Sequence, residues 1–345
     1  MPVKIAVDTM GGDFGPRIIL AGASQFLAAT PDDDTSIVFV GPEAKLTSML
    51  ADSRGRNRRI SIRNADDFIP MDASAREAVR KTSSSLVVAH RMLRDGEVDG
   101  VVSAGNTGAV MASAIFNLGR MEGVSRPAIG AIFPTSGDRP CLIMDVGANS
   151  DCKAGNLMEF AYMGTIYYSY MVDVAEPRVA LLSIGEESSK GNEITVEAHR
   201  RLIGNSLNFI GNVEGRDVLA GRADVVICDG FVGNILLKFA ESVKGFISGQ
   251  FKRQVSTNLF SRAGAFLMAP FLKRLKGSFD YSRYGGAPLL GTNGVTIICH
   301  GSSNEVAVMN AIRMAREMVV KNVNGHIREK LSTGYSLARL NGEIK

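Results

Sequence analysis

A doubly wound, largely parallel α/β sheet, with helices on both faces in a three-layer α/β/α arrangement, is the fold class that this chain of 345 residues predicts. Two observations carry the expectation: short apolar, β-branched runs recur along the chain, and helix-length amphipathic stretches lie between them. The runs are VKIAVD (Val3 to Asp8), SIVFVG (Ser36 to Gly41), GVVSAG (Gly100 to Gly105), CLIMDVG (Cys141 to Gly147), RVALLSIG (Arg178 to Gly185), DVVICDG (Asp224 to Gly230) and GVTIICHG (Gly294 to Gly301). Each is apolar along most of its length, as expected of a strand covered on both faces. Helical patterning is clearest from Ser74 to Leu93, Met158 to Val172 and Asn304 to Val320, with capping residues and glycines near the ends. After Asn322 a terminal helix or tail is expected.

A third observation concerns where the apolar runs stop. Most end in a polar or glycine-rich turn that opens the next helix: DTMGGDFGP, SAGNTGA, DVGANSD, IGEESSKGNE, CDGFVGN and HGSSNE. In open α/β sheets the ligand crevice lies outside the carboxyl ends of the strands, so these six turns are expected to meet in one site. The whole of residues 1–345 then reads as a single catalytic unit.

Composition narrows the function. Apolar residues make up 45% and charged residues 21%, and 37 Gly against 11 Pro suits a globular chain with many close backbone approaches. A net charge of +4 is too mild to imply nucleic acid. The start, MPVKIAVDTMGGD, reaches acidic residues too early for a secretory signal, and no apolar run is long enough to cross a bilayer, so a cytosolic protein is expected. Cys141, Cys152, Cys228 and Cys299 form no CxxC pair and read as buried reduced thiols.

One segment breaks the alternation. Residues 244–284 carry eight Lys or Arg against the single acid Asp280, with an apolar tip from Ala265 to Leu272, and read as a projecting helical hairpin. Its basic flank suits an acidic protein partner, or its tip a membrane surface bearing anionic lipid. A dimer contact is the plainer reading.

Chemistry is sought in the turns. Backbone N–H groups at helix N-termini hold anions where glycine permits close approach, and Gly11, Gly12, Gly105, Gly108, Gly147 and Gly233 offer such nests. Neither a Walker A pattern nor a GxGxxG fingerprint follows the first strand, which weakens nucleotide binding. Lys81 and Lys190 are candidate clamps on phosphate, the latter crowded by Glu186, Glu187, Asn192 and Glu193. His300, followed by Gly301, Ser302 and Ser303, can protonate a leaving thiolate or donate to an oxyanion. His90, His199 and His326 read as structural. Asp8, Asp13, Asp145 and Asp229 sit at or after strand ends, where they cap or orient neighbours; no tight ligand set makes them a metal site, and neither metal nor cofactor is expected. Asn106, Asn149, Asn192 and Asn234 can donate to a carbonyl or phosphate oxygen. With no GxSxG elbow, direct attack by bound phosphate fits better than a covalent acyl-enzyme.

Taken together, DTMGGDFGP, SAGNTGA, DVGAN, EESSKGNE, DGFVGN, GAPLLG and HGSSN closely resemble the PlsX family, the acyl-ACP:phosphate acyltransferases of bacteria, over nearly the whole chain. Thr9 stands where that family's opening motif more often has Ala. The resemblance implies the fold of phosphotransacetylase and the isocitrate/isopropylmalate dehydrogenases, and a homodimer. It also implies transfer of a fatty acyl group from acyl carrier protein to inorganic phosphate, with a membrane glycerol-3-phosphate acyltransferase consuming the acyl-phosphate at the inner face of the cell membrane. The rival readings are a phosphotransacetylase or phosphobutyryltransferase acting on short acyl-CoA, a metal-dependent hydroxyacid dehydrogenase, and a non-catalytic scaffold.

Overall fold

The computed structural model describes residues 2–51, 58–255, 259–271 and 285–340. Eleven strands form one sheet in the order β3-β2-β1-β4-β11-β10-β5-β6-β9-β7-β8. They are β1 (Lys4–Asp8), β2 (Ser36–Gly41), β3 (Ile60–Asn64), β4 (Gly100–Ser103), β5 (Ala128–Phe133), β6 (Cys141–Met144), β7 (Val179–Leu182), β8 (Phe209–Val213), β9 (Val225–Ile227), β10 (Ala287–Leu290) and β11 (Val295–Ile298). All seven anticipated runs are strands. The other four, β3, β5, β8 and β10, lack their signature for two reasons. Strands β3 and β8 are the two edges of the sheet, and polar residues such as Arg63 and Asn212 break their apolar runs. In the central β5, AIGAIF, alanine and glycine interrupt the apolar run, and β10, APLL, is four residues long with a proline and no β-branched side chain.

The centre also departs from parallel order. Strands β3, β2, β1, β4 and β11 run parallel to one another, and so do β6, β9, β7 and β8. Between them β11/β10, β10/β5 and β5/β6 are antiparallel. Three reversals set the two parallel blocks in opposite directions. The seam at β5/β10 carries just two register pairs, Leu289↔Ile129 and Leu290↔Ala128.

The helices are α1 (Pro16–Ala29), α2 (Glu43–Met49), α3 (Ala75–Arg80), α4 (Ser85–Arg94), α5 (Thr107–Leu118), α6 (Ala154–Val172), α7 (Glu193–Leu202), α8 (Gly215–Ala220), α9 (Gly230–Val255), α10 (Leu259–Leu267), α11 (Glu305–Val320) and α12 (Val323–Leu340). The single helix expected from Ser74 to Leu93 is two. Hydroxyl side chains in KTSSS compete for backbone partners, and Ser84 caps α4 by accepting the Val87 N–H. Asn106, Asn192 and Asn304 likewise cap α5, α7 and α11.

Strand residues alternate between two apolar cores, confirming the three layers. Ile5 and Val7 join α1, α2, α6, α7, α11 and α12 on one face. Ala6 packs against α4, and Cys141 and Ile143 pack with α3, α5 and α8, on the other. In α6, Phe160, Tyr167 and Tyr168 are fully buried, each contributing roughly 1.5–3 kcal/mol of transfer free energy. Helices α11 and α12 bridge the blocks: His326 of α12 stacks on Tyr170 of α6 at 4.0 Å, and the ammonium of Lys321, at the C-terminus of α11, donates to the Tyr170 carbonyl and to Asp173.

The expected hairpin over 244–284 lies partly outside the described residues. Within them, the helix starts earlier than expected, at Gly230 directly after β9. Its 26 residues span about 39 Å, and α10 follows. Phe239, Phe246, Ile247, Phe251, Phe260, Phe266 and Leu267 are exposed along this pair.

Candidate functional site

All six polar turns follow strand ends, but strand direction divides them. Those after β1, β4 and β11 share one rim of the sheet, and those after β6, β7 and β9 share the other. The expectation of a single cluster is corrected to two walls, because three antiparallel steps intervene.

On the first wall Asp8 is the organising group. Its carboxylate accepts from Ser85 Oγ at 2.6 Å, Ser103 Oγ at 2.7 Å and the Met10 N–H at 3.1 Å. Burial pushes this carboxyl up, against those hydrogen bonds and one from the Gly11 N–H. Ser103 Oγ also accepts the Gly105 N–H, so one aspartate holds the turns after β1 and β4 together. The approach is tight: a Cβ on Gly11 would lie 2.6 Å from the Gly105 nitrogen. Gly12 has φ +91° and faces the Gly301 carbonyl, which accepts the Asp13 N–H at 2.9 Å and thereby joins the β11 turn. Thr9 donates to the Val40 carbonyl and sits against Gly41.

His300 is exposed on this wall. Its Nδ1 accepts the Ser302 N–H at 3.1 Å and lies 2.7 Å from Ser302 Oγ. A backbone N–H can only donate, so the ring proton resides on Nε2 and Ser302 orients the imidazole. Asn106 uses its Oδ1 to cap α5 and one amide hydrogen to hold the Met71 carbonyl, keeping one N–H to give. The N–H groups of Thr107 and Gly108, at the first turn of a 12-residue helix, have no partner among the described residues. Lys81 borders this wall but reaches Asp67 at 3.5 Å and the Phe68 carbonyl at 3.3 Å.

On the second wall Asp145 plays the organising part. Fully buried, it accepts the N–H groups of Ile129, Gly147, Ala148 and Asn149 and the Asn149 side-chain amide, at 2.7 to 3.2 Å. Burial raises this carboxyl and the N–H donors oppose it; five donors and no acceptor suit the ionised form. Asn149 spends both amide hydrogens, on Asp145 and on the Pro127 carbonyl at 2.8 Å, so the expectation that it donates to substrate is corrected: it builds the turn. Asp229 accepts the Val232 N–H at 2.8 Å. Gly233 meets the Asp145 carbonyl so closely that a Cβ would be 1.9 Å from it. Asn234 stands beside Gly147, with no side-chain hydrogen bond among the described residues.

The β7 turn extends this rim. Lys190 is exposed, its stem lying over Gly185. Glu186 pairs with Arg222, Asn192 caps α7 through the Thr195 N–H, and Glu193 opens that helix. Beneath, His199 pairs with Asn212 Oδ1 at 2.8 Å, and the Asn212 amide donates to the Glu187 carbonyl at 2.9 Å. His90 is buried against Ser113, and burial lowers it to about 4. All four cysteines are free and buried.

A groove of about 370 Å³ lies between α5 and the second wall. Met111 and Ile115, on the α5 face that begins at Gly108, line it opposite Asn149, with Arg120, Ser125, Arg126 and Pro127 at its end. Sequence reasoning missed these last residues and Ser85, Ser103 and Asn212. The visible signal for the former was SRP immediately before the unrecognised β5.

The profile of the family described as "Fatty acid synthesis protein" matches residues 3–326. A phosphate acyltransferase of Heliobacterium modesticaldum is 46% identical over 332 residues, covering 95% of this chain and 98% of the relative. One from Thermodesulfovibrio yellowstonii is 43% identical over 330 residues, covering 96% and 94%. Among solved structures, a phosphotransacetylase from Streptococcus pyogenes aligns with TM-score 0.61 at 18% identity, covering 92% of this chain and 94% of that one. The EutD phosphotransacetylase from Staphylococcus aureus gives 0.58 at 18%, with the same coverage. These two likenesses establish the fold.

Proposed function

The chain belongs to the fatty acid synthesis protein family of phosphate acyltransferases, the PlsX family, and is an acyltransferase; from that premise we propose that it moves a fatty acyl group from acyl carrier protein to inorganic phosphate. The observation that carries the reading is the groove between α5 and the Asn149 turn, apolar on its α5 side and polar at Arg120, Ser125 and Arg126. Strand twist supports their convergence. At about 20–25° per step, the five steps from β1 to β6 accumulate roughly 100–125°, tilting two antiparallel sets of carboxyl ends toward one side.

In this reading the glycine turns and the free N–H groups of Thr107 and Gly108 hold phosphate at the positive end of α5, with Lys81 and Lys190 adding charge. A phosphate oxygen attacks the thioester carbonyl, the new C–O bond forms, and the C–S bond breaks. The proton of hydrogen phosphate leaves with the thiol, so the balance requires no further reactant. His300 Nε2–H and the spare Asn106 N–H donate to the oxyanion. Asp8 and Asp145 position the turns; Asp13, Gly147, Glu186, Asn192, Glu193, Asp229, Asn234 and Ser302 edge the substrate space. The four cysteines take no part, since burial pushes Cys141, Cys152 and Cys299 up to about 12 and Cys228 well above its ordinary value.

Incubation with long-chain acyl-ACP and phosphate should yield hydroxylamine-trappable acyl-phosphate. Preference for a short acyl-CoA donor would transfer the reading to the phosphotransacetylase class. Separate substitutions of Lys81, Lys190 and His300 test their roles, and normal turnover in all three would remove them.

The exposed aromatic residues of α9 and α10 favour a surface contact by this pair. Among the described residues no helix is long and apolar enough to cross a membrane. We read the pair as the place of peripheral attachment to anionic lipid and of homodimer contact. Its basic side would receive acyl carrier protein, and a membrane glycerol-3-phosphate acyltransferase would take the product. Replacement of Phe266, Leu267 and Phe271 by Ala should reduce sedimentation with anionic vesicles; unchanged sedimentation would discard attachment through this tip.

A further inference from the structure

We propose that the Ser125–Arg126 turn, together with Arg120, is an anion-binding element that grips a phosphate oxyanion of the substrates in the groove beside α5. The inference deepens the acyl-to-phosphate reading and rests on it.

The turn is anchored from below. Ser125 gives its N–H at 2.9 Å and its hydroxyl at 2.8 Å to Glu159, a carboxylate only 3% exposed, and its hydroxyl oxygen accepts from the Asn156 amide at 2.6 Å. Both partners lie on α6, so a buried helix sets the height of the turn. Arg126 is then held by both terminal nitrogens: Nη1 donates to the Asp151 carbonyl and to one carboxylate oxygen, each at 2.9 Å, and Nη2 donates to the other carboxylate oxygen at 3.5 Å. That grip fixes the guanidinium plane and leaves its Nε–H uncommitted among the described residues. Arg120 donates to the Ser125 carbonyl and has no carboxylate partner among the described residues.

Two guanidiniums therefore flank a groove whose other wall is Met111 and Ile115. Of the acids nearby, Glu159 is buried beneath the turn and bonded to Ser125, and Asp151 pairs with Arg126 on the solvent side, while Arg120 meets no carboxylate among the described residues. The Arg120 guanidinium and the Arg126 Nε–H beside an apolar wall suit an oxyanion attached to, or poised against, a hydrocarbon chain. Two substrates of the proposed reaction bring such a group: inorganic phosphate, and the phosphodiester of the carrier protein's pantetheine arm.

Steady-state kinetics with each substrate varied in turn distinguish the sources. In Arg120→Gln and Arg126→Gln, KM should rise at least about tenfold for the substrate whose phosphate is gripped, while KM for the other stays within about twofold. With inorganic phosphate placed at the N-terminus of α5, about 20 Å along that helix from Arg120, the arm is the expected source and KM for acyl-ACP should rise. A rise for inorganic phosphate would instead assign the free ion to this turn and move it from the helix N-terminus. Arg126→Lys should recover part of the loss, since charge returns without the Nε–H. Arg120 is exposed, so its variant should fold even if Arg126 variants are unstable. Both KM values unchanged in Arg120→Gln and Arg126→Gln, with melting temperatures intact, would overturn the assignment. Wild-type protein that makes no acyl-phosphate would instead defeat the functional reading.

Discussion

Gly233 separates a glycine required for packing from one required for ligand approach. In Gly233→Ala the new methyl would lie 1.9 Å from the Asp145 carbonyl oxygen and 3.0 Å from Cys228 Sγ. An ordinary C···O contact is about 3.3 Å, so the first turn of α9 must retreat by roughly 1.4 Å. It has little freedom to do so. The Gly230 N–H is bound to the Asn149 carbonyl at 2.7 Å, and Asp145 holds five N–H donors. Overpacking against yielding side chains costs about 1–3 kcal/mol, and against fixed backbone the upper end is expected. For a chain of this size about 3 kcal/mol lowers the melting temperature by roughly 4 °C. Gly155→Ala is the control: nothing lies within 4 Å of its added methyl, and alanine in that helix should be neutral or stabilising by up to about 1 kcal/mol. Thermal denaturation followed by circular dichroism reads both variants. If Gly233→Ala melted within 2 °C of wild type, the packing argument would be refuted, and ligand approach would become the reason for glycine there.

Asp224 carries a pH-dependent part of the stability. Burial raises its carboxyl, but hydrogen bonds and charge from Arg178, at 2.8 to 3.0 Å, outweigh it and leave the carboxyl below the usual 3.8. As the pH falls the unfolded chain takes up this proton first, so the contribution is complete above about pH 4–5 and is lost as the pH drops through the folded value. Asp224→Asn should therefore lower the urea midpoint at pH 7 and flatten its fall between pH 5 and pH 3; parallel curves for the two proteins would contradict this. All four thiols should resist a disulfide reagent in the native protein and react after denaturation, and rapid native labelling of any one would show that its burial is wrongly assigned. His300→Gln should lower kcat by about 10²–10⁴ with little change in KM, whereas Ser302→Ala, which removes the hydroxyl and keeps the orienting N–H, should lose much less. Equal losses would place the Ser302 hydroxyl in the chemistry instead.

Much of the fold was legible because strands covered on both faces must be apolar throughout, as VKIAVD and DVVICDG are. Edge strands escape that demand, and ISIRN and FIGNV were unreadable for that reason. The two central strands were missed because alanine and glycine break up AIGAIF and a proline sits in the short APLL. Missing them hid the three reversals, and with them the division of six turns into two walls. Side-chain roles were legible by type but not by partner. Asn149 looked like a donor to substrate, yet its amide hydrogens are consumed by Pro127 and Asp145, 22 and 4 residues away. Likewise Ser85 and Ser103 gave no signal, since their importance comes from a carboxylate 77 and 95 residues distant.

The β5/β10 seam joins two parallel blocks of opposite direction within one continuous sheet, and two register pairs carry that join. The last helix adds a second tie: His326 stacks on Tyr170 of α6, so a strand added late in the chain and a helix added last both hold the second block to the first.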